Sequence, residues 1–149
     1  MSDGGIGGSL YARAILVDTG AQLAHARRSD QNHLLAVACF NEIAAKRLPL
    51  FVSLPTIYES HRRFLFDLGQ QAGVRMLQSL RDGRINVIRT IDDDEITAER
   101  LIMRYAAFRL TLTDANNMAV MARLGIAAAF SFDSHYLLAG FIRVPPLHV

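Results

Sequence analysis

With one cysteine in 149 residues, Cys39 has nothing to pair with, so the chain holds no internal disulfide and no cysteine-based metal cluster. Cys39 is expected to be a small core residue. Lysine is as scarce, because Lys46 is the only lysine among 16 basic residues. Long apolar runs are missing too. The hydrophobic stretches are short and broken by polar residues, so neither a membrane-spanning helix nor a secretory signal is visible, and a soluble cytoplasmic protein is expected. A net charge of +2 is nearly silent about partners. There is no repeat or heptad, and the one biased tract is "SDGGIGGS" at residues 2–9. Residues 1–10 are therefore read as a disordered, glycine-rich lead-in, and 11–149 as a single domain. A hydrophobic content of 51% at this length is enough for one sizeable core.

Apolar runs and their punctuation predict the elements. "AILV" at 14–17 reads as a buried strand ended by Asp18, Thr19 and Gly20, with a loop at its carboxyl end. Leu34, Leu35, Val37, Ala38, Ile43 and Ala44 have helical spacing within 30–47. "LFVSL" at 50–54 is a second strand, and Pro55 and Thr56 open a helix to about Leu68, followed by another over 70–80. "INVIR" at 85–89 is a third strand, with a helix from "DDDE" to about Phe108. Thr113 or Asp114 caps a helix ending near Gly125, "IAAAFSF" is a fourth strand, and "FIRV" at 141–144 adds a short fifth. Strands separated by helices mean crossover connections, hence an α/β fold with a parallel sheet and helices on both faces. Ligands bind such sheets outside the carboxyl ends of the strands, where Asp18 and Asp133 are expected.

Four carboxylates fall at element boundaries on that side: Asp18, Glu59, Asp114 and Asp133. None has a basic partner nearby in sequence, and gathered carboxylates repel. A hard divalent cation, Mg²⁺ or Mn²⁺, resolves such repulsion and can activate water for attack on a phosphoryl group. Each acid also has a structural explanation. Asp18 can cap a turn, Thr56 to Glu59 matches a capping box, and Asp114 sits where a helix dipole favours any acid. The case therefore rests on joint placement. Asp92 to Glu95 fit a helix N-terminus rather than a site. Thr19 can hydrogen-bond a metal-bound water or serve only in a turn. Asn117, one turn after Asp114, can orient water or phosphate, or lie on the surface. His135 close behind Asp133 reads as incidental, and the other histidines lack zinc spacing. Arginine's planar fork suits phosphate oxygens, so Arg27/Arg28 and Arg62/Arg63 are candidate polyanion contacts or merely solvated helix faces.

"ILVDTG" (15–20), "LPTIYES" (54–60), "LTLTDANNMAVMARLGI" (110–126) and "AFSFDSHY" (129–136) follow one another in a pattern that resembles a PIN domain over roughly residues 13–144. The resemblance implies a three-layer α/β/α sandwich with a central parallel sheet, and a Mg²⁺- or Mn²⁺-dependent nuclease acting on RNA. By the same resemblance, Asp18, Glu59, Asp114 and Asp133 are the catalytic acids, with Asp18, Asp114 and Asp133 holding the metal. Thr19 and Asn117 are placed as supporting residues, and Arg62 and Arg63 as RNA contacts. Compact members of this kind are similar to VapC toxins, which implies a homodimer and an inhibitory antitoxin partner.

Three other readings compete for the same residues. A phosphoacceptor receiver domain needs an acidic pair after the first strand and a lysine near the last, which Lys46 does not supply. A haloacid-type phosphatase needs a second aspartate where Gly20 stands. The alternative that survives is a PIN-fold binding or assembly module that cleaves nothing, although a site released from chemistry has no reason to keep four mutually repelling acids.

Overall fold

The computed structural model describes residues 10–146, so the expected disordered lead-in lies outside the described residues except for Leu10, which opens a 3-10 turn, Leu10–Arg13. The strands are β1 (Ile15–Val17), β2 (Leu50–Ser53), β3 (Asn86–Ile88), β4 (Ala128–Phe130) and β5 (Ile142–Val144). Between them run α1 (Thr19–Ala26), α2 (His33–Ala45), α3 (Leu54–Leu68), α4 (Gln70–Ser79), α5 (Asp92–Arg104), α6 (Leu112–Leu124) and the short α7 (His135–Leu138).

All strand pairs are parallel, in the order β3-β2-β1-β4-β5. Strand side chains alternate between faces, and the core divides accordingly. Leu16, Phe51, Ile88 and Ala129 face α5, α6 and α7 through Ala98, Met118, Met121 and Tyr136. Ile15, Val17 and Phe130 face α1 and α2 through Ala21, Ala24, Ala36, Cys39 and Ile43. Val52 continues that second layer beneath α3 and α4, against Ile57, Phe64, Ala72 and Met76. The result is the expected three-layer α/β/α sandwich. β1 is apolar throughout because both its faces are covered. Cys39 is buried and unpaired in the core, as expected. No helix among the described residues is long and apolar enough to cross a membrane.

The chain steps from β1 outward to β2 and β3, then returns to β4 on the other side of β1. The direction reverses between β1 and β4, and the crevice of an open α/β sheet forms at that switch point. Val17 pairs with Phe130, so the residues leaving these two strands emerge side by side.

Local details depart from the sequence reading. The segment after β1 is helix α1 rather than a loop. Asp18 is its N-cap, accepting from the Ala21 backbone N–H at 2.9 Å, and eight residues are too few to display helical periodicity. α6 begins at Leu112 under a Thr111 cap, so neither Thr113 nor Asp114 caps it, and Asp114 occupies the third helical position. α3 begins at Leu54 under a Ser53 cap, which places Glu59 in the second turn and removes the capping-box explanation for it. α5 ends at Arg104, with a separate 3-10 turn at Ala106–Phe108, and α7 was not foreseen.

The acidic segment behaves as read. Asp92, Asp93, Asp94 and Glu95 fill the first turn of α5, where the helix dipole favours them. Asp94 alone is buried, and Arg123 of α6 grips it with two hydrogen bonds, Nε at 2.8 Å and Nη2 at 2.9 Å. Burial by itself would raise the Asp94 carboxyl, but the Arg123 fork and the Ile91 N–H hold it below the usual carboxylate range. A lowered carboxyl contributes stability that is present above its unfolded value, near pH 4, and lost as pH falls through the folded value. Arg123→Ala is expected to lower unfolding free energy by about 3 kcal/mol at pH 7 by stranding a buried charge. In urea titrations the deficit should shrink below about pH 4, and a deficit independent of pH would contradict this account.

Candidate metal centre

The site is built at the carboxyl ends of β1 and β4. Asp18 follows β1 directly, and its N–H donates to Phe130 O at 3.1 Å, which continues the sheet pairing by one residue. Its side chain is 7% exposed. Ser131, fully buried beyond β4, hydrogen-bonds the Asp18 carboxylate and also accepts from the Asp133 N–H at 2.9 Å. One hydroxyl thus ties the first acid to the loop that carries the third. Asp133 is held a second way, because its Oδ1 accepts from the His135 N–H at 2.9 Å in an Asx turn that leads into α7.

Asp114 reaches the same place from the first turn of α6. The ring Nδ1 of His135 lies between the two acids, 3.2 Å from Asp114 Oδ2 and 3.1 Å from Asp133 Oδ2. The three donor atoms lie within 4.8 Å of one another. Among the described residues no lysine or arginine pairs with Asp18, Asp114 or Asp133.

Electrostatics record that crowding. Burial pushes the Asp18 carboxyl up to about 7, with the Ser131 and Ala21 hydrogen bonds opposing and the charges of Asp114 and Asp133 adding to the rise. Burial likewise raises Asp114, while hydrogen bonds from His135 and Thr111 lower it and Asp133 raises it further. Two carboxylate oxygens and one imidazole nitrogen make a donor set that fits a divalent cation, and Asp18, a third carboxylate that resists ionisation, stands outside that group but close enough to feel its charges.

The other predicted site residues fall as follows. Thr19 is buried, and its hydroxyl accepts from Ser60 Oγ of α3 at 3.2 Å, joining α1 to α3. Glu59 is half-buried on α3 immediately before Ser60, outside the Asp114–Asp133–His135 group. Arg62 and Arg63 are exposed on α3. Arg62 lies over the Phe66 ring at 5.0 Å, and Arg63 pairs with Asp67 at 3.1 Å.

Asn117 is not a surface residue. It is fully buried at the centre of a polar network in which Ser53 donates to its Oδ1, while its amide donates to Thr56 Oγ1 at 2.9 Å and Tyr136 Oη at 3.0 Å. The network joins the end of β2, the start of α3, α6 and α7, and fixes Asp114 relative to the Asp133–His135 segment. Burial and the nearby Asp18 and Asp114 charges keep the Tyr136 hydroxyl protonated.

Sequence reasoning missed His135, Ser131 and Tyr136 as members of the site. The available signal was proximity to Asp133, two residues away for Ser131 and His135 and three for Tyr136. A separate groove of about 990 Å³ opens between α1/α2 and α3/α4, near Phe40, Leu48, Phe64 and Met76. None of the clustered acids lines it, so the centre is identified by its chemistry rather than by cavity size.

No protein-family model and no curated protein matches the chain. Among solved structures it is similar to VapC20 of Mycobacterium tuberculosis, a sarcin-ricin loop cleaving toxin, with a TM-score of 0.78 and 26% identity over 89% of this chain and 99% of that one. It is also similar to FitAcB of Neisseria gonorrhoeae, at TM-score 0.65 and 15% identity over 91% and 99% of the two chains. A third likeness is PAE2754 of Pyrobaculum aerophilum, at TM-score 0.61 and 24% identity over 92% and 93%. The expected PIN-like, VapC-like fold is the one observed.

Two outcomes follow for the site. Burial raises the Asp18 carboxyl to about 7 from 3.8 for the ordinary group, and EDTA keeps cations from offsetting that shift. A raised carboxyl contributes stability that is complete below about pH 4 and lost as pH rises through 7. Asp18→Asn, neutral throughout, is expected to gain on wild type between pH 4 and 7 and hold its lead above, at about 2–4 °C in Tm per kcal/mol. A lead that does not grow with pH would refute the desolvation argument. Asn117→Leu strands the Tyr136 hydroxyl and leaves the Ser53 and Thr56 side chains only each other, and chemical denaturation should show a loss of about 3 kcal/mol; no loss would mean the network contributes little.

Proposed function

We propose that the chain is a Mg²⁺- or Mn²⁺-dependent endoribonuclease, the toxin of a toxin–antitoxin pair, acting in the cytoplasm as a homodimer restrained by a partner protein. The observation that carries this reading is the convergence of Asp18, Asp114 and Asp133 at the β1/β4 switch point with no lysine or arginine paired to them among the described residues and only the His135 ring beside Asp114 and Asp133. The likeness to VapC20, a sarcin-ricin loop cleaving toxin, supports it.

Asp18, Asp114 and Asp133 would hold the cation, with Glu59 contributing from α3 directly or through water. A bound cation supplies an activated water at neutral pH and offsets charge on the phosphate under attack. The chain's own groups do the rest. Burial raises the Asp18 carboxyl to about 7, so an entering positive charge would favour release of its proton. Ser131 accepts from the Asp133 backbone N–H and the His135 N–H donates to Asp133 Oδ1, so the turn and its carboxylate are oriented before substrate arrives. Thr19 and Asn117 act as supporting residues by tying α1, α3, α6 and α7 behind the acids. Arg62 and Arg63 present charge to flanking phosphates. Arg63 would exchange Asp67 for a phosphate, a small loss because exposed pairs contribute about 0–1 kcal/mol.

Cleavage of single-stranded RNA in Mn²⁺, stopped by EDTA, is the expected activity. Asp18→Ala and Asp114→Asn should each reduce it more than about a hundredfold, beyond what loss of an outer-shell residue brings, with unchanged circular dichroism. Undiminished cleavage by a folded Asp18→Ala chain would sink the assignment. A wild-type chain that binds no cation and cuts no RNA would instead be the non-catalytic PIN-fold module.

A further inference from the structure

We infer that His135 is a nitrogen ligand of this cation site and that it biases the site towards a first-row transition ion, Mn²⁺ being the probe, over Mg²⁺. This rests on the cation-dependent reading above and assigns to His135 a role that the acids alone do not predict.

Position is the first argument. Two ligands about 2.1 Å from one ion and at right angles to each other are about 3.0 Å apart. His135 Nδ1 stands 3.2 Å from Asp114 Oδ2 and 3.1 Å from Asp133 Oδ2, a hydrogen-bonding distance where no ion lies between them and also the separation of neighbouring ligands on one ion. Those acids come from different elements, so the ring is at the meeting point of two carboxylates rather than beside one chance neighbour.

The ring is also held there. The His135 N–H is bound to Asp133 Oδ1, and the next residue, Tyr136, is fully buried and anchored to Asn117. The ring need hardly move to ligate: an entering ion displaces the proton that Nδ1 shares with the carboxylates, Nδ1 offers its lone pair and Nε2 carries the remaining proton.

Chemistry supplies the ion preference. Carboxylate oxygens serve Mg²⁺ and Mn²⁺ alike, whereas imidazole nitrogen suits first-row transition ions and is a poor substitute for oxygen around Mg²⁺. Among the described residues no other histidine joins the group. His135 is therefore the residue whose identity sets the preference.

The test uses the full chain loaded with Mn²⁺, examined by pulsed EPR for nitrogen coupling. Calorimetry gives Mn²⁺ and Mg²⁺ affinities for wild type, His135→Asn and His135→Ala. Nitrogen coupling is expected in wild type and absent from both variants. In His135→Asn the Mn²⁺ affinity should fall about tenfold or more. Mg²⁺ affinity should hold, because the Asn amide oxygen replaces Nδ1 with a donor Mg²⁺ accepts. Mn²⁺ bound without nitrogen coupling in wild type, coupling that survives in the variants, or equal losses for the two ions would each overturn the inference while leaving a cation site. Binding of neither ion by wild type would overturn the proposed function itself. The wild-type spectrum decides the matter even if neither variant folds.

Discussion

Three aspartates brought together at the edge of a parallel sheet, one of them almost wholly buried, set the constraint to which the surrounding structure answers. Like charges in a medium of low polarity repel strongly, and a buried carboxylate resists ionisation. The chain meets this with helix N-termini. Asp18 caps α1, Asp114 lies in the first turn of α6, and Asp133 accepts the N–H of the first residue of α7. Backbone N–H groups and the positive ends of helix dipoles therefore surround the acids. That is why a capping explanation and a functional one could both be written for Asp18 from the sequence. The cap is what allows the carboxylate to stand there, and its raised value shows that the cap does not fully compensate it.

The frame behind the acids is polar as well as apolar. Asn117, Ser53, Thr56 and Tyr136 are all fully buried, and their mutual hydrogen bonds satisfy groups that would be expensive to leave unpaired. Such networks fix relative position more sharply than packing of apolar side chains does. Here they connect α6 to α7 and to the start of α3, the elements that carry Asp114, His135 and Glu59. The Thr19–Ser60 hydrogen bond does the same between α1 and α3.

The sheet was legible because buried parallel strands are short continuous apolar runs, and "AILV", "LFVS" and "AAF" hide nothing. The acids were legible because they terminate those runs. Helix starts were displaced by one to three residues where several capping residues stand in line. Thr111, Thr113 and Asp114 compete in one segment, Ser53 and Thr56 in another, and local sequence does not rank them. α1 escaped notice since eight residues, one of them Gly20, carry too little periodicity. The Asn117 network could not be read at all. Its partners lie 19, 61 and 64 residues away in sequence, and hydrogen bonds across such distances leave no local pattern. His135 failed for a different reason: a lone histidine in a loop has many surface explanations, and only the fold brings Asp114 to its ring.

The contrast between two acidic groups shows what separates a structural carboxylate from a candidate ligand. "IDDDE" is the most acidic stretch of the chain, yet Asp92, Asp93 and Glu95 are exposed and Asp94 is clasped by Arg123, which lowers its carboxyl despite burial. Asp18 is buried to a similar degree without an arginine, and its carboxyl rises instead. Density of acidic residues along the chain therefore points the wrong way. The informative quantity is negative charge that is buried and lacks a basic partner, because a fold keeps such a group only where something positive completes it. By that criterion the β1/β4 switch point stands apart from the α5–α6 seam. Asp94 is paired within the chain by Arg123, whereas among the described residues Asp18 has no arginine or lysine partner and Asp114 and Asp133 share a single imidazole.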